Sequence, residues 1–120
     1  MRADRNFDVL KHMIRYCEEI SETVDRFGND YELFVRDTIY KNAVALCVLQ
    51  IGELTTKLTQ DFKDSHREIP WTQMKAMRNI VAHSYGSIDT EILWETIEND
   101  IPSLKEYCLS VLEQFESEKK

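Results

Sequence analysis

Residues 78 to 86 read Arg-Asn-Ile-Val-Ala-His-Ser-Tyr-Gly, which puts a fixed cation, an imidazole and a phenol within eight residues. Arg78 presents a planar fork of donors suited to phosphate and stays charged at any working pH. His83 is of the side-chain type whose unperturbed pKa lets it move protons near neutrality. Together they form a minimal set for cleaving RNA without a metal: a base for the 2′-hydroxyl and a cation for the charged phosphorane. Arg78 and His83 stand about 140° apart on an ideal helix, so they share a face only if the helix ends between them. Ser84 and Gly86 make such an end plausible. The plainer reading of the same pair is a salt-bridge partner and a C-terminal dipole cap.

No other constellation competes with this segment. His12 falls on a polar face and His66 in a polar stretch, both read as solvated, and Glu53 beside Gly52 is a candidate buried acid near the site. The histidines lack i, i+4 pairing and the carboxylates are scattered as solvated faces, so no metal is expected. Three glycines cannot build a phosphate loop or a dinucleotide fingerprint, so no cofactor is expected either. Cys17, Cys47 and Cys108 have neither metal-ligand nor redox spacing and are read as three buried thiols.

The elements that must position the segment are helices. With 3 Gly and 2 Pro in 120 residues, a loop-rich or all-β fold is disfavoured. Leu10, Met13, Cys17, Ile20, Val24 and Phe27 recur at steps of three or four and predict a helix over about 5–27, capped by Asp4 and stopped at Gly28-Asn29. A second helix is predicted over 30–59. Its middle, AVALCVLQI, is apolar almost all the way round, which calls for a dimer interface touching Val44 and Val48. Residues 60–69 read as a loop or a frayed helix end. Pro70 opens a third helix to Ala82, and Asp89 caps a fourth, with a kink or a break at Pro102. The sum is one all-α domain over 1–120, core about 5–115: an antiparallel bundle of four or five helices.

Charge bounds the partners. Fifteen Lys and Arg against 22 Asp and Glu give −7, which excludes a general polyanion binder but leaves RNA open if a local cationic site exists. The N-terminus lacks the apolar core of a secretory signal, and the longest apolar run, 43–49, is far short of a membrane span, so a cytoplasmic location without membrane attachment is expected.

The arrangement Arg78-Asn79, four residues between Arg78 and His83, then Tyr85, resembles the Arg-x4-His-x-Tyr motif of HEPN-domain proteins of the HepT type. The surroundings agree over about residues 5–112: Ile51-Gly52-Glu53-Leu54, Ile69-Pro70-Trp71, Leu93-Trp94 and Asn99-Asp100-Ile101-Pro102. The resemblance implies an all-α, HEPN-like homodimer acting as the RNA endonuclease toxin of a toxin–antitoxin pair. It assigns Arg78 and His83 as the catalytic pair, Asn79 as their polar neighbour, and Tyr85 as the hydroxyl AMPylated by a minimal nucleotidyltransferase of the MntA type. The expected products are a 2′,3′-cyclic phosphate and a 5′-hydroxyl. The alternative is a non-catalytic HEPN dimer that serves as a nucleotide- or nucleotidyltransferase-binding module.

Overall fold

The computed structural model describes residues 2–72, 74–75 and 90–119, and among these every regular element is helical. The elements are α1 (Arg2–Phe27), α2 (Tyr31–Arg36), α3 (Thr38–Thr55), α4 (Gln60–Ser65), α5 (Thr90–Glu95), a π turn (Thr96–Asp100) and α6 (Ile101–Lys119). The body is α1 packed on α3 and α6. Its core follows the apolar stripes: Leu10, Met13 and Ile20 of α1, Val44 of α3, and Leu104 and Cys108 of α6 are all buried. No described helix is long and apolar enough to cross a membrane.

Local chemistry shifts several predicted boundaries. The first helix already begins at Arg2, so Asp4 lies inside it and is not its cap. It stops where expected: Gly28 takes φ +113°, a conformation that side chains with a Cβ rarely adopt. The predicted second helix is broken in two by Asp37. That residue is extended (φ −99°, ψ 104°), and its carboxylate accepts from the amides of Ile39 and Tyr40, capping α3. Asp30 caps α2 through the amide of Glu32. Within the stretch read as a loop, Thr59 caps the short helix α4 through the amide of Phe62, and Phe62 is buried.

The irregularity predicted at Pro102 is present as the π turn just before it. The Ile101 amide bonds Thr96 O, five residues back. Such a widened turn accommodates the proline, which has no N–H for the ladder and whose ring crowds the preceding turn.

The apolar middle of α3 is covered mainly from within the chain. Val44 is wholly buried and Val48 nearly so, which removes them from any subunit interface. The uncovered apolar positions are Ile39, 71% exposed, and Leu46, 55% exposed, one above the other at i, i+7. Cys17 and Cys108 are buried free thiols, as expected, whereas Cys47 is only half-buried. Burial is the main cause that pushes Cys17 and Cys108 up to about 12, and Cys47 up to about 11.

Candidate active site

Arg78, Asn79, His83 and Tyr85 lie outside the described residues, as does the predicted end of the third helix at Ala82. The described chain on either side of them is held firmly. Ahead of the segment, Pro70 O accepts from the amide of Met74, so a helix opens at Trp71 as the proline signals. Trp71 is buried, and its indole N–H donates to His66 O at 2.9 Å. After the segment, Leu93 is buried and Trp94 packs at 4.9 Å (ring centroids) from Phe34 and 6.4 Å from Tyr40. The Tyr40 hydroxyl in turn donates to Gly28 O at 3.0 Å. Each of the chain's two tryptophans therefore secures one approach to the motif.

Both approaches arrive at the same place. A cavity of about 410 Å³ is lined by Ile51 and Gly52 of α3, by Ile69, Pro70 and Met74 ahead of the motif, and by Ile92 after it. Asn99, Asp100 and Ile101, spanning the π turn and the start of α6, also line it. Three of the sequence contexts that carry the resemblance, Ile51-Gly52, Ile69-Pro70 and Asn99-Asp100-Ile101, thus meet around one space although they are far apart in the chain. Gly52 is buried at that wall. Glu53, read as a buried acid, is only half-buried.

The electrostatics of the described wall are acidic. Glu68, Glu95 and Asp100 all line the cavity. Glu68 also lies beside Tyr107, whose hydroxyl burial, reinforced by that carboxylate, pushes up to about 12. A polyanion entering here meets three carboxylates on the described wall.

His66 departs from its sequence reading. It is half-buried at the end of α4, stacked on Phe62 at 4.1 Å and edge-on to Tyr107 at 5.9 Å. Its Nδ1 lies 2.8 Å from Phe62 O, and a carbonyl only accepts, so Nδ1 carries the proton. The ring thereby helps pack the segment that Trp71 closes. Phe62, four residues before His66, was the available signal for that stacking. His12 is exposed, as expected.

Comparison with known proteins gives a consistent answer. The chain is 38% identical over 95 residues to the "Probable ribonuclease HepT" of Thermococcus cleftensis, covering 75% of this chain and 86% of that protein. It is 31% identical over 105 residues to a "Putative RNase" of Caldanaerobacter subterraneus subsp. tengcongensis, covering 88% and 92%. A "Putative RNase" of Methanocaldococcus jannaschii is 30% identical over 110 residues, covering 92% and 90%. No solved structure matches the chain. The family model described as "Ribonuclease HepT-like" matches residues 13–111. The family model and the relatives agree: this chain belongs to the HepT-like ribonuclease family.

Proposed function

We propose that this protein is a metal-independent RNA endonuclease that acts as the toxin of a toxin–antitoxin pair. The observation that carries the reading is the Arg78-x4-His83-x-Tyr85 motif in a chain of this family, with three of its sequence contexts around one cavity. His83 accepts the 2′-hydroxyl proton as that oxygen attacks the adjacent phosphorus. Arg78 binds the scissile phosphate and stabilises the charge of the phosphorane, with Asn79 as its polar neighbour. The P–O5′ bond breaks, the leaving oxygen takes up a proton, and the products are a 2′,3′-cyclic phosphate and a 5′-hydroxyl.

In this reading Tyr85 is the point of control. A partner nucleotidyltransferase of the MntA type transfers AMP from ATP to its hydroxyl, the phenol losing its proton and pyrophosphate leaving. The added group brings bulk and negative charge two residues from His83, where the substrate phosphate binds. Neutralisation is then steric and electrostatic together. The active form is a cytoplasmic homodimer, and the support for it is the uncovered Ile39 and Leu46 on the outer face of α3.

The acidic surface, net −7, favours a second reading: a non-catalytic HEPN dimer that binds a nucleotidyltransferase or a nucleotide. Expression in a bacterial host separates the two. Wild type arrests growth and His83→Ala does not, with cyclic-phosphate ends on the RNA of arrested cells; equal growth of both strains rejects the nuclease. Incubation with the nucleotidyltransferase and ATP labels wild type but not Tyr85→Phe, and persistent labelling of that variant reassigns the hydroxyl. Leu46→Asp yields monomers by sedimentation, and an unchanged dimer moves the interface elsewhere.

A further inference from the structure

The outer face of α1 is divided by charge. Its first half presents Arg5, Lys11, His12 and Arg15, all exposed, with Asp8 as the one described carboxylate among them. Its second half presents Glu18, Glu19, Glu22 and Asp25, with Arg26 as the one cation. This order is opposite to what the helix dipole favours at either end, since Arg5 stands near the positive terminus and Asp25 near the negative one. Helix stability therefore does not account for it.

Ion pairing does not account for it either. Arg26 is held by Glu22 at 2.6 Å, and Glu18 reaches Lys105 of α6 at 3.8 Å. Among the described residues no carboxylate lies within ion-pair distance of Arg5, Lys11 or Arg15. Elsewhere the charges balance, as between residues 57 and 68, where Lys57, Lys63 and Arg67 are matched one for one by Asp61, Asp64 and Glu68. In a chain of net charge −7, the described outer face of α1 from Arg5 to Arg15 is locally cationic, with Arg5, Lys11 and Arg15 against the single carboxylate of Asp8 over roughly 15 Å of helix.

We propose that this row, Arg5, Lys11 and Arg15, is a docking surface for the phosphate backbone of the substrate RNA, outside the catalytic motif. The assignment rests on the ribonuclease reading for its choice of polyanion. It answers the charge problem of an acidic nuclease: the row draws a strand toward a molecule whose remaining surface repels it. Three backbone contacts to a single strand contribute about 0.7 each to the slope of log affinity against log salt, so about 2 in all, and about a hundredfold in affinity near 0.1 M salt.

The test is binding of a fluorescent, 2′-O-methylated oligoribonucleotide, which lacks the attacking hydroxyl, to the full-length protein by anisotropy across a salt series. Arg5→Gln/Lys11→Gln/Arg15→Gln is compared with Lys57→Gln/Lys63→Gln/Arg67→Gln, which changes net charge equally. The first triple loses about a hundredfold in affinity and about 2 in salt slope, while the second loses no more than about threefold. Circular dichroism checks that both remain folded. Equal losses in the two triples overturn the proposal, because net charge alone then explains them. Unchanged binding in the first triple also overturns it and leaves the row to an acidic protein surface. Cleavage of a dinucleotide, too short to reach α1, separates this outcome from failure of the ribonuclease reading. The first triple cleaves it like wild type if docking is the only loss. A wild type that binds the oligonucleotide through the row yet cleaves no RNA refutes the nuclease and leaves the docking surface standing.

Discussion

Asn6→Ala tests how the approach to the motif is anchored. Asn6 is 6% exposed, donates from Nδ2 to Thr59 Oγ1 at 3.1 Å and accepts from the Thr59 amide at 3.0 Å. The same Thr59 hydroxyl accepts from the Phe62 amide at 3.2 Å, so one polar side chain of α1 fixes the cap of α4. Truncation removes two bonds worth about 1 kcal/mol each and strands a partly buried amide, for an expected cost of about 2–3 kcal/mol. Water entering the adjoining cavity of about 280 Å³, lined by Asn6 and Thr59, limits the cost to that range. For a chain of 120 residues this lowers Tm by roughly 10 °C. Urea and thermal unfolding followed by circular dichroism, at one fixed protein concentration, give both quantities. A double-mutant cycle with Thr59→Ala isolates the Nδ2–Oγ1 bond, with a coupling of about 1 kcal/mol. A cost for Asn6→Ala below about 0.5 kcal/mol, or full additivity in the cycle, refutes the anchoring argument.

Three further outcomes follow from the fold. Gly28→Ala costs about 1–2 kcal/mol in urea unfolding, because φ +113° strains any Cβ and Leu33 Cδ1 would lie 3.1 Å from it. Val44→Asp fails to fold as a protomer, since it buries an unpaired charge at a fully buried core position; a folded monomer by chromatography and circular dichroism would return Val44 to an interface. Stability falls above pH 9: there the unfolded chain releases thiol protons that the folded chain keeps to about pH 12, at about 1.4 kcal/mol per pH unit for Cys17 or Cys108 taken alone. Cys17→Ala/Cys108→Ala lessens that alkaline slope in a pH series of unfolding midpoints, leaving the part due to Cys47 and Tyr107.

What could be read from the sequence was what periodicity encodes. The stripe from Leu10 to Ile20 defined α1, and Leu93, Ile97, Ile101, Leu104 and Cys108 defined the buried face from α5 to α6, because burial repeats at helical spacing. Interruptions by side-chain hydrogen bonding were harder to see. Asp37 sits in a helix-compatible run, yet its carboxylate satisfies two amides and stops the chain there. The helix α4 has Phe62 as its one buried apolar anchor, too few for a period, although Thr59 and Asp61 were available as cap and first-turn signals. For the candidate site, the motif fixed the chemistry, but periodicity does not report that Ile51-Gly52, Ile69-Pro70 and Asn99-Asp100-Ile101 share a wall. That is a tertiary fact, created by Trp71 and Trp94 packing at opposite approaches.

The π turn at Thr96–Asp100 accommodates one residue more than an α-turn closing the same gap. In evolutionary terms it behaves as a one-residue insertion absorbed without displacing the helices around it. Leu93, Ile97 and Ile101 follow each other at steps of four, and all three stay buried on either side of the wider turn and within it. A homologue one residue shorter between α5 and α6 should therefore run as a continuous rod with the same core contacts, and its alignment gap belongs within residues 96–100.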